Sequence, residues 1–128
     1  VTGVQTCALP ILEFDPSNLR RVLTNLLDNG IRHAGEHTGQ FTVTLALSKD
    51  DQAKRAHMDV IDAGTGVPDA MLGRLFEPFF TTSAGGSGLG LYLCRELCES
   101  NGATLNYDRT PDGKTRFRVS ISLQGYAS

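Results

Sequence analysis

The order of segments along the chain predicts an α+β domain with helices layered on one face of a sheet. Three observations carry this: an apolar stripe at three- and four-residue steps from Leu19 to Ile31, alternation from Phe41 to Leu47, and clusters of glycine and polar residues between the periodic segments. The 128 residues, 40% of them hydrophobic, suit one core and not two domains. A formal net charge of -2, with 12 Lys+Arg spread along the chain, disfavours nucleic acid as a partner. No apolar run approaches the ~20 residues of a membrane helix, and the first residues lack a signal peptide's basic start, so this piece is expected in the cytoplasm and outside the membrane. Cys7, Cys94 and Cys98 form no even framework and are expected to act as small apolar groups.

Val1 to Ile11 (VTGVQTCALPI) resemble the translation of a sequencing-library adapter and show no helical or strand period, although a short native linker has the same look. The domain is therefore expected over residues 12–128. Asp15-Pro16 reads as a helix start, the carboxylate capping free amides and the proline standing where its missing N–H costs nothing. Leu19, Val22, Leu23, Leu26, Leu27 and Ile31 then form one buried stripe to about His33, with Gly35 and its polar neighbours ending the helix. Phe41–Leu47 reads as a half-buried strand, Lys49 to Gln52 as a turn, and Ala56 to Ile61 as a second strand. Asp62-Ala63-Gly64-Thr65-Gly66-Val67-Pro68 has too many glycines for regular structure and must be a loop. A short helix at Asp69 to Leu75, the aromatics Phe76, Phe79 and Phe80, and a glycine-rich run to Gly86 read as a mobile lid. Ser87 can cap a second helix whose rows Leu89, Leu93, Leu97 and Gly90, Cys94, Cys98 face inward, closing at Asn101-Gly102. Strands at Thr104 to Tyr107 and Thr115 to Leu123, joined by Thr110-Pro111-Asp112-Gly113, complete the domain.

Asn25 and Asn29 stand one helical turn apart, so two amides point the same way, with Arg32 on the next turn. Amide oxygens are hard neutral ligands suited to Mg²⁺, and a guanidinium pairs with phosphates; two solvated asparagines on an exposed face give the same pattern. Asp62 ends a strand where a carboxylate can accept from an exocyclic amine, and Gly64 and Gly66 allow a flat ring close approach, although an ordinary Asp-Gly turn reads alike. Gly86-Ser87-Gly88-Leu89-Gly90-Leu91 sets glycines at a helix start, where free amides favour phosphate. It lacks dinucleotide spacing, since Leu91 stands where the third glycine belongs, and Gly113-Lys114-Thr115 is no P-loop, since Asp108 stands where the first glycine belongs.

In this order the segments resemble the boxes of the catalytic ATP-binding domain of bacterial sensor histidine kinases: Arg21 to Ala34 (RVLTNLLDNGIRHA) the N box, Asp62 to Gly66 the G1 box, Leu75 to Thr82 (LFEPFFTT) the F box, and Gly86 to Leu91 the G2 box. The resemblance covers about Phe14 to Leu123 and is nearest to the nitrogen-regulation branch. It implies a Bergerat fold, a two-layer α/β sandwich with a mixed sheet covered on one face by helices and a mobile ATP lid. It implies ATP and Mg²⁺, with Asn29 assisted by Asn25 on the metal, Arg32 and His33 toward phosphates, Asp62 reading the adenine amine and Thr115 beside the base. Gly64, Gly66, Phe79, Thr81 and Thr82 join the nucleotide contacts, and Gly86, Ser87, Gly88, Leu89, Gly90 and Leu91 hold the phosphate tail. Gly30 replaces the family's usual alanine.

ATPases of this fold carry a glutamate where this chain has Asn25, and an amide cannot take a proton from water, so transfer to another acceptor is favoured over hydrolysis. None of His33, His37 and His57 lies in a segment like the acceptor helix, which is expected on a separate dimerisation domain of a parent anchored in the bacterial inner membrane. An NtrC-like response regulator is the implied downstream partner. A related ATPase, a serine-directed kinase and a nucleotide-binding module without transfer activity remain the alternatives.

Overall fold

Asp15 caps the first helix as its sequence predicts: its carboxylate accepts from the amides of Ser17 and Asn18 at the N-terminus of α1 (Pro16–Thr38). The structure is a computed structural model that describes residues 14–40, 42–64, 66–81 and 88–123. The expectations for Val1 to Ile11, Cys7, Phe41, Thr82, Gly86 and Ser87 lie outside the described residues. α1 runs past Gly35 to a left-handed cap at Gly39 (φ 78°), because one glycine costs only about 1 kcal/mol in a helix already packed along its length.

β1 (Thr44–Asp50) and β2 (Arg55–Asp62) form an antiparallel hairpin; α2 (Gly90–Ser100), β3 (Thr104–Arg109) and β4 (Thr115–Ser122) follow a 3-10 turn at Asp69–Arg74. The four strands lie in the order β1-β2-β4-β3, and the three pairings described are all antiparallel, with no parallel pair of the expected mixed sheet among them. β1 begins three residues later than its sequence alternation suggests and also ends later, since pairing with β2 carries it through Ser48, Lys49 and Asp50. Local polarity marked a turn there, and cross-strand hydrogen bonds overrode it.

Cross-strand partners share a face, so Met58, Val60 and Asp62 of β2 look the same way as Thr115, Phe117 and Val119 of β4 and Leu105 and Tyr107 of β3. α1 packs on β2 and α2, and α2 on β3, which covers that face and gives the two-layer α+β architecture. Val22 and Leu26 of α1 meet Cys94 and Cys98 of α2, Val60, Phe117, Val119 and Ile121 in one core. α2 buries Cys94 and Cys98, with Leu91 and Leu97 beside them; Leu93, expected inward, is 42% exposed, because it lies about 100° around the helix from Cys94. On edge strand β1, Leu47 is 69% exposed rather than half-buried, since this strand lies outside the helix layer. The opposite sheet face is polar: Arg118 donates two hydrogen bonds to buried Asp59, and Arg116 two to Asp108.

Candidate functional site

A cavity of about 410 Å³ opens between α1, the end of β2 and the start of α2, within the size range of small-molecule sites. Asn25, Asn29, Arg32 and His33 of α1 line one side, which the i, i+4 spacing makes a single helical edge next to the buried stripe. Asp62 and Thr115 line the sheet side, and they meet there because they are direct partners at the ends of β2 and β4. Gly88, Gly90 and Leu91 line the third side, at the first turn of α2, whose opening amides have no acceptor within the helix itself.

Asp62 is only 4% exposed. Its Oδ1 accepts from the Gly64 amide at 2.7 Å and lies 3.3 Å from Nδ1 of His33, and the Thr115 hydroxyl donates to its main-chain carbonyl at 3.3 Å. Burial pushes this carboxyl up, but the hydrogen bonds from His33, Gly64 and Thr115 outweigh it and hold the group below the usual carboxylate range. It is therefore an anionic acceptor at neutral pH. The loop fits around it tightly: a Cβ at Gly64 would sit 2.4 Å from the His33 ring, and Gly66 adopts φ 84°, which only glycine takes without strain. The Tyr107 hydroxyl, accepting from the Val67 amide at 2.9 Å, ties the loop to β3.

At the other end Arg32 donates to the Asn29 side-chain oxygen at 3.3 Å. Among the described residues no group of three or more His, Cys, Asp or Glu could hold a metal by itself; the side-chain oxygens along the α1 wall are the amides of Asn25 and Asn29 and the carboxylates of Asp28 and Glu36, hard donors of the kind Mg²⁺ takes together with phosphates.

A family model described as histidine kinase-, DNA gyrase B- and HSP90-like ATPase matches residues 14–125. This chain belongs to that ATPase family. Relatives of the domain include the sensor protein kinase PilS of Pseudomonas aeruginosa, 46% identical over 84% of this chain, and sporulation kinase A of Bacillus subtilis, 31% identical over 84%. The chain spans 20% of the first and 17% of the second. Among solved structures, the mycobacterial sensor histidine kinase MprB is 27% identical with a TM-score of 0.71, covering 84% of this chain and 71% of that one. The catalytic domain of histidine kinase ThkA is 26% identical with a TM-score of 0.70, covering 88% and 70%.

Within this ATPase-family domain the sequence-predicted residues divide in three. Asn25, Asn29, Arg32, His33, Asp62, Thr81, Gly88, Gly90, Leu91 and Thr115 line the cavity together. Gly64, Gly66 and Leu89 do not line it, and Phe79 points away, 74% exposed at φ 67°, its amide donating to the Gly88 carbonyl. Phe80 takes its place in the wall. His33, expected toward phosphates, has its Nδ1 3.3 Å from Oδ1 of Asp62. Thr82, Gly86 and Ser87 are outside the described residues. Sequence reasoning missed Asp28, Glu36, Val67, Leu75, Tyr107 and Phe117 as lining residues. Asp28 and Glu36 carried a signal, since they lie on α1 beside the asparagines, whereas Tyr107 and Phe117 became wall through strand register and Val67 and Leu75 through the loop and 3-10 turn that follow β2.

Proposed function

We propose that this domain binds Mg·ATP in the cavity and donates the γ-phosphate to a histidine on a separate dimerisation domain of a two-component sensor kinase. The observation that carries this is the pairing within one cavity of a buried anionic acceptor, Asp62, with two amide donors, Asn25 and Asn29, one helical turn apart. In this reading Asp62 accepts from the adenine amine, Thr115 supports it, and the first amides of α2 face the phosphate tail. Asn29, with Asn25, would hold Mg²⁺ once Arg32 turns from its oxygen toward phosphate. The metal would neutralise charge on the phosphate oxygens during transfer. Asn25 offers no proton acceptor, so water stays unactivated.

One observation favours a second reading: the carboxylates Asp28 and Glu36 also line the cavity, and either would give an ATPase a base that Asn25 lacks. The NtrC-like response regulator, the membrane-anchored parent and the cytoplasmic location belong to the proposal, as does the division at residues 11 and 12; among the described residues no helix is long and apolar enough to cross a membrane.

Incubation with γ-labelled ATP separates the readings. The chain alone should bind ATP, hydrolyse it slowly and stay unlabelled, and acid-labile label should appear on an added dimerisation domain from a relative's parent kinase. Rapid hydrolysis that Asp28→Asn or Glu36→Gln abolishes would establish the ATPase instead, and acid-stable label would point to serine.

A further inference from the structure

The two oxygens of Asp62 stand in different surroundings. Among the described residues, two hydrogen bonds converge on Oδ1, from the Gly64 amide at 2.7 Å and His33 Nδ1 at 3.3 Å, while the Thr115 hydroxyl meets the main-chain carbonyl. An ionised carboxylate only accepts, so Nδ1 of His33 carries the proton and donates. The imidazole is itself held in place, because its Nδ1 and Cε1 occupy the space a side chain at Gly64 would need, 2.4 and 2.6 Å from that Cβ position. The terminal torsion of an aspartate is broad and two-fold, and one loop amide leaves the group free to rock about its contact. A second donor from α1 removes that freedom and leaves Oδ2 as the oxygen with lone pairs to spare for a ligand.

We propose that His33 is a positioning residue for base selectivity: it locks Asp62 so that the pocket takes a purine bearing an exocyclic amine and rejects one bearing a carbonyl at that position. The inference rests on the adenine reading above. With Oδ2 fixed, an amine donates into a ready acceptor. A carbonyl would set oxygen against oxygen in a buried place, and neither could find a partner. This assigns His33 to the base end of the cavity and leaves Asn25, Asn29 and Arg32 of α1, with the first amides of α2, at the phosphate end.

The test is the ratio of dissociation constants for ITP and ATP, which differ in that substituent and in the proton the carbonyl form carries on the neighbouring ring nitrogen, measured by calorimetry with Mg²⁺ for the parent chain, His33→Phe and His33→Asn. The parent should favour ATP at least tenfold. His33→Phe keeps the ring's bulk without the donor and should shrink the ratio about fivefold or more, through weaker ATP binding. His33→Asn restores an N–H near the Nδ1 position and should recover most of the ratio; it also serves if the phenylalanine variant melts early, since Asn with its donor kept and Leu without it can then be compared. Equal weakening of both nucleotides, or an unchanged ratio in variants that lack the donor, would overturn the proposal and return His33 to the phosphates or to a bystander. A parent chain that binds both nucleotides alike, or neither, would remove the adenine reading of Asp62 and the role of His33 with it.

Discussion

Replacing Asp62 with asparagine should cost affinity for ATP without unfolding the domain, and the geometry says why. Among the described residues, the hydrogen bonds to this side chain from the Gly64 amide and from His33 both end on Oδ1. An amide oxygen in the Oδ1 position accepts both. The change then falls on the other atom: Oδ2 becomes an NH₂ group, a donor facing the donor of an adenine amine. The variant loses one hydrogen bond to a charged acceptor, worth about 1.5 to 3 kcal/mol. At about 1.4 kcal/mol per factor of ten, ATP should bind roughly 10- to 150-fold more weakly. ITP, whose carbonyl can accept from the new amide, should bind as well as before or better. Titration calorimetry with both nucleotides and a thermal melt of the variant give the three numbers needed. ATP affinity equal to the parent's, or a loss matched by a lowered melting temperature, would show that Asp62 serves the fold and that the base does not sit against it.

Four further outcomes follow from the same structure. Asn29→Ala should abolish the Mg²⁺-dependent part of ATP affinity, measured by titration with and without the metal. Asn101→Ala should leave that affinity unchanged but lower stability by about 1 to 2 kcal/mol in urea unfolding, since Asn101 accepts from the Asp15 amide and donates to the Leu97 carbonyl where the two helix ends meet. Burial pushes the thiols of Cys94 up to about 11 and Cys98 up to about 12, so iodoacetamide at about pH 8 should spare both in the native protein and label both in urea; because the folded values are raised, their stabilising contribution is whole below the ordinary thiol value of 9.0 and is lost as pH rises through the folded ones, which a series of melts above pH 9 reads directly. Removing Val1 to Ile11 should leave both the unfolding midpoint and ATP affinity where they were.

What the sequence made legible was periodic or punctuated. The Asp15-Pro16 cap, the Val22 and Leu26 stripe and the Asn101-Gly102 stop stand where they were read, because each depends on neighbours within one or two helical turns. The asparagine edge of α1 was legible for the same reason. What depended on distant partners was not. The extension of β1 through Lys49 and Asp50 needed β2 beside it, and Tyr107 and Phe117 became cavity wall only once β3 and β4 were in register. His33 shows the limit most clearly: the resemblance set it toward phosphates, and only the structure shows its ring beside Asp62, 29 residues away. Phe79 and Phe80 could not be told apart by spacing either, since the positive φ at Phe79 and its hydrogen bond to Gly88 decide which ring faces the cavity.

The central claim is that one cavity holds the nucleotide with its base at Asp62 and its phosphates between Asn29 and the start of α2. Backbone amide NMR during titration with Mg·ATP tests it at every residue at once. Shifts concentrated at Asn29, Gly64, Gly88, Leu91 and Thr115, saturating together with one dissociation constant, are the predicted result. Saturating shifts confined to the polar sheet face around Asp59 and Arg118, or none at all at millimolar ATP, would contradict it.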